Sequence, residues 1–292
     1  MSSFFAWIMK LFGWSNKPTQ PEVNTPNVPP TNNQTEITMN KKCLCVGIND
    51  YVGTNNDLAG CINDCNDWAN ILTSKFGFGS VTKLQNSQAT RQGIKNALQN
   101  LVANAKAGDV LVFTYSGHGS FVVDMTSPKP DHKNETIYTY DGNLFDYEFR
   151  AIFDGLPDGV SMTVILDSCH SGTATRFVQP GSPKPRFMPP RDPGMAELST
   201  LPTAKRLFIS EGEMKETLYA GAKSSEYSYD ALVHGRPNGA FTATAIDAIN
   251  KFTNPTNKQV YDEIRRNLPS NDWPQTPQLE GSESNKAKPI FS

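Results

Sequence analysis

Three short apolar runs constrain the fold of this chain more than any other feature. They are CLCVGIN at 43–49, VLVFTY at 110–115 and MTVIL at 162–166. Continuous apolar runs of this length are typical of strands that are buried on both faces. Amphipathic helical patterns at 64–76 and 90–105 lie between the first run and the second. Strands that alternate with helices predict an α/β fold with a mostly parallel central sheet and helices on both faces.

The rest of the chain continues this alternation. We predict short strands at 81–84 and 217–222, and helices at 146–153, 240–252 and 257–268. In a mostly parallel sheet, functional sites lie at the carboxyl ends of the strands. The residues that directly follow the apolar runs are therefore the strongest candidates for chemistry.

Reactive side chains follow two of the apolar runs. The second run leads into SGHG at 116–119, and the third leads into DSCHSG at 167–172. A Cys and a His at neighbouring strand ends form a nucleophile–base pair, in which the imidazole takes the thiol proton and the thiolate attacks a carbonyl carbon. We predict Cys169 as the nucleophile and His118 as the base. The backbone N–H groups of Gly119 and Cys169 would hold the developing oxyanion.

Composition narrows the class of protein. The 292 residues carry 27 Lys and Arg against 29 Asp and Glu, which argues against the strongly basic surface of a nucleic-acid-binding protein. Five Cys is an odd count at low density, and it favours a reducing compartment over a disulfide framework. We therefore expect a cytoplasmic protein. No apolar run reaches the length of about 20 residues that spans a bilayer.

Two Pro-rich stretches interrupt the chain. Residues 15–40 hold five Pro and almost no large apolar side chains, as is typical of an extended linker. Residues 173–206 hold seven Pro, with six basic and two acidic side chains. A loop of this length inside a compact domain is usually functional or disordered. The folded domain is predicted at 41–292.

The first 14 residues, MSSFFAWIMKLFGW, are rich in aromatic side chains and hold two of the four Trp. They are too short to span a bilayer and lack the features of a signal peptide. Residues 4–14 are suited to lie on a membrane surface or to dock on a protein partner, which would make the protein peripheral to a membrane. The alternative is a short helix that covers an apolar patch on its own domain.

Several motifs, in order along the chain, resemble the metacaspases and their bacterial relatives in the caspase-like clan of cysteine peptidases. The matching segments are CVGIN at 45–49, LAGCIND at 58–64, YSGHG at 115–119, DSCHSG at 167–172 and PQTPQLEG at 274–281. Cys169 follows His118 by 51 residues, in line with the caspase-type spacing of about 50. The QAC[RQG]G signature of true caspases is absent, which favours the metacaspase side.

The resemblance implies a caspase-like three-layer sandwich. Its large part would be 41–172, followed by the basic loop 173–206 and the small part 207–292. It also implies a cysteine endopeptidase that requires no cofactor, with His118 as base and Cys169 as nucleophile. Metacaspases resemble one another in being monomers, so the resemblance implies a monomer.

The resemblance extends to substrate preference. In metacaspases the primary pocket is a trap for Arg or Lys, and its matching carboxylates are Asp64 and Asp167, with Cys61 and Ser116 at further pocket positions. A carboxylate pair would hold a guanidinium bidentately and reject an acidic side chain. Taken alone, Asp64 is also explained as a helix N-terminal acid favoured by the macrodipole. We predict protein or peptide substrates that are cleaved after Arg or Lys.

The basic loop has the composition of a substrate for this enzyme. It links the implied large and small parts and is rich in Arg and Lys. Arg176, Lys205 and Arg206 are the candidate self-cleavage points. The alternative is a solvated insertion whose charges keep it soluble.

Calcium activation is a further expectation from the resemblance. Metacaspases carry several acids in the region that corresponds to 131–148, and Asp146 matches one ligand position. Asn134 and Phe145 stand where the family often has Asp. Other acids nearby could still supply oxygen ligands, which Ca²⁺ accepts flexibly. A solvated acidic loop is the alternative.

Two other functions stay open. One is a clan relative that cleaves after Asn or Asp, against which the acid pair argues. The other is a catalytically weak, caspase-like scaffold recruited through its N-terminal segment. Its usual hallmark would be a lost Cys or His, and both are present here.

Overall fold

A six-stranded sheet lies at the centre of the computed structural model, which describes residues 39–123, 132–169, 183–190 and 211–292. The strands in chain order are β1 Lys41–Gly47, β2 Ser80–Gln85, β3 Val110–Ser116, β4 Gly119–Val123, β5 Lys133–Tyr138, β6 Asn143–Phe145, β7 Ser161–Asp167, β8 Lys184–Pro185, β9 Thr217–Ala220, β10 Tyr229–Val233, β11 Arg236–Gly239 and β12 Gln278–Glu280. The order in the central sheet is β12–β9–β7–β3–β1–β2. Every pair is parallel except β12 with β9, which confirms the mostly parallel sheet.

Helices cover both faces of this sheet. In chain order they are α1 Cys61–Ser74, α2 Arg91–Ala103, α3 Asp146–Phe153, α4 Ala240–Asn250, α5 Asn257–Asn267 and α6 Glu283–Ala287. Side chains of α2 and α3 pack with Leu44 and Val46 of β1 in one core. Side chains of α1, α4 and α5 pack with Cys43 and Cys45 in the other core. Alternate residues of β1 thus face opposite helical layers, and the predicted three-layer α/β sandwich is confirmed.

Two small antiparallel sheets accompany the central one. β4, β5 and β6 form the first, and β11, β10 and β8 form the second. The sequence does not predict them, because strands such as KNETIY at 133–138 and RPNG at 236–239 lack a clear apolar alternation. They are held by pairing with neighbouring strands, which a local pattern does not reveal.

The predicted elements of the central layer are present, with shifts of a few residues at their ends. α1 begins at Cys61 instead of Asp64. The cause is a cap from elsewhere in the chain, because Asn49 Oδ1 accepts the N–H groups of Cys61 and Ile62 at 2.8 and 3.2 Å. Within the described ranges, no helix has both the length and the apolar character needed to cross a membrane.

Candidate active site

β3 and β7 bring the two reactive side chains to one edge of the sheet. These strands are parallel neighbours, and their register pairs Ser116 with Asp167. His118 and Cys169 each lie two residues beyond this pair, so both leave the sheet at the same level. Both side chains are almost fully buried, with exposed fractions of 0% and 1%.

Two tyrosines and one backbone carbonyl fix the position of His118. Its N–H donates to Tyr51 Oη at 2.8 Å, and its carbonyl accepts from Tyr115 Oη at 2.7 Å. The ring atom Nε2 bonds to the carbonyl oxygen of Asn56. A carbonyl can only accept, so Nε2 carries the proton. Nδ1 is buried without a hydrogen-bond partner among the described residues, which leaves it as the basic atom of the ring.

Burial keeps both members of the reactive pair neutral. It lowers the pKa of His118 to about 4, against an opposite effect of the Asn56 carbonyl. Burial also raises the pKa of the Cys169 thiol well above its ordinary value. Sγ of Cys169 donates to the Ser228 carbonyl at 3.1 Å and accepts the N–H of the same residue. The resting pair is therefore a neutral imidazole and a neutral thiol.

A single carbonyl oxygen lies between the N–H groups of Gly119 and Cys169. It belongs to Arg186, and the two N···O distances are 3.0 and 3.1 Å. These N–H groups are the two oxyanion donors expected from the sequence, and they converge on one oxygen. A Cβ on Gly119 would overlap the carbonyl oxygen of Cys169. Only glycine allows the two backbone segments to approach this closely.

The side chain of Arg186 is fully buried and lies among three carboxylates. Its Nη2 is 2.7 Å from Asp64 Oδ2 and 3.0 Å from Asp230 Oδ1, and its Nη1 is 3.1 Å from Asp167 Oδ2. Charge-assisted hydrogen bonds of this kind match the planar, forked guanidinium. The acid pair expected from the sequence is thus part of a group of three.

Backbone and hydroxyl donors orient these acids. Asp64 accepts the N–H of Gly239 at 2.9 Å. Asp167 accepts the N–H and the hydroxyl of Thr242 at 3.0 and 2.7 Å. Burial raises the pKa of Asp64 to about 6, although the Arg186 guanidinium opposes this shift. The Asp64 carboxyl is therefore partly protonated near pH 6, and this proton reduces the excess negative charge of the buried pocket.

The sequence does not predict Asp230. Its carboxylate accepts the N–H groups of Ala59 and Gly60 at 2.7 and 3.0 Å, in addition to its contact with Arg186. It lies on β10, in YDALV at 229–233, where no motif marks it. An acid inside an otherwise apolar segment was the available signal, and it does not by itself distinguish a pocket residue from a surface one.

The other expected pocket residues occupy different places. Cys61 is fully buried; burial raises the pKa of its thiol, and the charge of Arg186 opposes the shift. Ser116 is buried at the end of β3, while the hydrogen bonds of Arg186 go to Asp64, Asp230 and the Asp167 carbonyl. Asp64 lies in the first turn of α1. Its hydrogen bonds to other elements show that attraction to the helix macrodipole does not by itself explain an acid at this position.

The segment around Arg186 crosses the site in an extended conformation. β8 pairs antiparallel with β10, and the N–H of Arg186 donates to the Ser228 carbonyl at 2.9 Å. After Arg186, the N–H of Met188 donates to the Gly119 carbonyl at 2.9 Å. Backbone hydrogen bonds thus hold the chain on both sides of the peptide bond that follows Arg186. This is the strand-addition mode by which many proteins bind extended peptides.

Some expected positions lie outside the described residues. They include the candidate self-cleavage points Arg176, Lys205 and Arg206. Asp146 begins α3, and in the part of the chain that the structure describes no group of three or more His, Cys, Asp or Glu side chains could hold a metal ion. The calcium site stays a prediction.

Solved structures share this fold. A crystal structure of a Geobacter sulfurreducens protein has a TM-score of 0.69 and 26% identity, and the match covers 87% of this chain and 98% of that one. Caspase-1 from Spodoptera frugiperda has a TM-score of 0.55 and 11% identity, covering 84% and 87%. Fold and site together define a caspase-like cysteine peptidase.

Sequence comparison gives the family. The family model "Metacaspase, peptidase C14 domain" matches residues 41–177. Metacaspase-1 of Mycosarcoma maydis is 32% identical over 284 residues, covering 83% of this chain and 70% of that protein. Metacaspase-1 of Meyerozyma guilliermondii is 40% identical over 147 residues, and this match spans 36% of that protein's length and 46% of this chain. The chain belongs to the metacaspases, a family of cysteine endopeptidases, which confirms the resemblance.

Proposed function

We propose that this chain hydrolyses peptide bonds after Arg or Lys with His118 and Cys169, and that its own Arg186–Phe187 bond is its first substrate. The placement of Arg186 carries the proposal. Its guanidinium lies among three acids, and its carbonyl oxygen lies on the N–H groups of Gly119 and Cys169. One residue thus fills a specificity pocket and a reaction centre at the same time.

The chemistry is acyl transfer. Nδ1 of His118 takes the proton of Cys169 Sγ, and the thiolate attacks the carbonyl carbon of Arg186. The oxyanion is held by the N–H groups of Gly119 and Cys169. The C–N bond then breaks, the imidazolium gives its proton to the departing amine of Phe187, and a thioester remains on Cys169. Water gives a proton to His118 as its oxygen attacks the thioester carbonyl carbon. The C–S bond then breaks, the imidazolium returns the proton to Sγ, and the new carboxylic acid is released and loses its proton to solvent.

The charge of the pocket supports the preference for basic side chains. A guanidinium reaches all three carboxylates with its two terminal nitrogens. A Lys ammonium carries the same charge without the planar fork, so we expect Arg to be preferred over Lys. An acidic side chain would meet like charges, which argues against cleavage after Asp.

Intact-mass measurement of the denatured full chain tests self-cleavage. The wild type should split after Arg186, whereas Cys169→Ala should stay whole and Arg186→Gln should not be cut at this bond. Lys184→Gln is the matched control, because Lys184 is a neighbouring base whose ammonium bonds to the backbone carbonyl of Asp57 outside the pocket. This control should be cut like the wild type.

Two outcomes would contradict the proposal. Fragments that end only at Arg176, Lys205 or Arg206 would overturn the assignment of Arg186. An uncut wild-type chain that also fails to hydrolyse a fluorogenic Arg substrate would overturn the peptidase activity itself.

A further inference from the structure

We propose that the site also selects the two residues after the cleaved bond, with an aromatic residue in the first position and a long apolar side chain such as Met in the second. This inference rests on the proposed function, because it concerns the same reaction centre. It is carried by contacts of Phe187 and Met188, which lie on the far side of the bond from the acidic pocket. We call the two contact regions the aromatic subsite and the methionine subsite.

The aromatic subsite consists of Phe121 and Tyr227, whose rings both contact the ring of Phe187. The rings of Phe187 and Phe121 are nearly parallel, with centroids 6.2 Å apart and an interplanar angle of 19°. The rings of Phe187 and Tyr227 have centroids 6.1 Å apart and an angle of 43°. Both separations fall in the range in which aromatic pairs attract beyond simple burial. A flat aromatic side chain is therefore the group that fits here.

The methionine subsite buries its occupant. Met188 is 1% exposed and joins the core cluster that includes Leu58 and Tyr51. Its backbone N–H donates to the Gly119 carbonyl at 2.9 Å, and its carbonyl accepts from Ser120 Oγ at 2.8 Å. A residue held on both sides of its backbone must place its side chain in this cavity. An unbranched thioether suits this space, because it is flexible and its sulfur accepts a hydrogen bond from Asn56 Nδ2 at 3.3 Å.

The backbone geometry extends these contacts to other substrates. The N–H of Gly119 bonds to the carbonyl oxygen of Arg186, and the carbonyl of Gly119 bonds to the N–H of Met188. Any peptide that places the carbonyl of its cleaved bond on the oxyanion donors thus has its next two residues aligned along β4. In this register the first residue meets Phe121 and Tyr227, and the second enters the methionine subsite.

Binding of short peptides to the full chain tests the inference. The chain would carry Cys169→Ala to prevent turnover, with Arg186→Gln, Phe187→Ser and Met188→Ser to remove the competing loop. The peptides share Lys-Pro-Arg and continue with Phe-Met, Phe-Gly, Gly-Met or Gly-Gly. We expect Phe-Met to bind about tenfold or more tighter than Gly-Gly, with the two single replacements between them.

Substitutions in the aromatic subsite separate the two positions. Phe121→Ala should reduce the ratio of the affinities of peptides with Phe and with Gly in the first position about fivefold. The ratio of the affinities of peptides with Met and with Gly in the second position should persist. Tyr227→Ala should act in the same direction. Tyr227→Phe is the matched control, because it keeps the ring and should retain the ratio.

Turnover in the same chain with Cys169 retained separates this inference from the proposed function. A fluorogenic Lys-Pro-Arg amide, which has no residues after the cleaved bond, reports the peptidase activity alone. Cleavage of this amide with equal binding and equal turnover of all four peptides would overturn the two subsites. Tighter binding of Phe-Met without turnover of any substrate would support the subsites and overturn the proposed function.

Discussion

The charge around Arg186 is unequal, since one guanidinium faces three carboxylates in a buried pocket. Buried charges are tolerated when they are paired and hydrogen-bonded, and both burial and neighbouring like charges raise the pKa of a carboxyl group. Burial, with a smaller contribution from the Asp167 carboxylate, raises the pKa of Asp64 to about 6 against the opposite effect of the Arg186 guanidinium. This surplus of negative charge leads to one prediction for substitution of Asp230 and another for the pH dependence of ligand binding.

Loss of the charge of Asp230 should weaken catalysis on Arg substrates. Asp230→Asn keeps the volume and one acceptor oxygen, but its amide nitrogen cannot accept the N–H group of Ala59 or Gly60 that the second carboxylate oxygen holds. It also loses a charge-assisted bond worth about 1.5–3 kcal/mol. We expect kcat/KM for an Arg substrate to fall about 10- to 100-fold. Asp158→Asn is the control, because this exposed acid lies away from the pocket. Equal effects of the two substitutions would contradict a role for Asp230 in specificity.

Affinity for an Arg ligand should increase with pH. The guanidinium lowers the pKa of Asp64, which is about 6 with Arg186 in place, so the pKa is higher in the empty pocket. Binding of the cation then releases a proton, and affinity rises with pH until the empty-pocket carboxyl is ionised. The measurement is the inhibition constant of a non-cleavable Arg peptide against a chain with Arg186→Gln, Phe187→Ser and Met188→Ser, from about pH 5 to about pH 9. Asp64→Asn should flatten the profile, and an affinity that falls as pH rises would contradict the argument.

At the scale of secondary structure, the sequence predicts the central layer much better than the hairpins. β1, β3 and β7 are buried on both faces, so they appear as continuous apolar runs, and the carboxyl ends of β3 and β7 mark His118 and Cys169. β10 and β11 are short, and the hairpin that they form turns at His234 and Gly235, which is not one of the strong Asn-Gly or Asp-Gly turn signals. The local sequence therefore does not mark Asp230 as a pocket residue. The strand at Lys184–Pro185 forms only by pairing with β10, so a Pro-rich composition alone predicts a loop.

The end of β11 sets the width of the acidic pocket. A Cβ on Gly239 would overlap Asp167 Oδ2 and lie 2.5 Å from Nη1 of Arg186. Its φ of −70° and ψ of 134° suit any residue, so Gly239→Ala should fold while narrowing the pocket. Overpacking of this kind costs about 1–3 kcal/mol, so we expect kcat/KM for Arg substrates to fall about tenfold or more.

Gly79→Ala is the control for this substitution, because a Cβ at Gly79 would meet no atom within 4 Å. Thermal melts of both variants would show that the fold is kept. Unchanged turnover of an Arg substrate by Gly239→Ala would mean that the pocket tolerates a methyl group at this position, and that the proposed seat of the guanidinium is wrong.

At the scale of the whole molecule, the proposed cleavage after Arg186 should leave the fold intact. The segment before the loop contributes β7 and the segment after it contributes β9, and these strands are paired from Thr163–Thr217 to Leu166–Ala220. The pocket needs both segments, since Asp64 and Asp167 precede the loop and Asp230 follows it. Self-cleavage can thus free the site of its own chain without dispersing the residues that form it.

An intact chain should be slow toward other substrates, because its tethered loop competes for the site at an effective concentration of about a millimolar or more. Wild-type chain from brief cell-free synthesis should therefore cleave a fluorogenic Arg substrate with a lag that matches the loss of intact chain on a denaturing gel. A chain with Arg186→Gln, Phe187→Ser and Met188→Ser lacks the side chains that seat the loop, so it should start without a lag. Lys184→Gln should keep the lag. Equal initial rates for the wild type and this triple variant would show that the seated loop does not restrain the enzyme, since a loop that blocked the pocket would have to leave before any other Arg could enter.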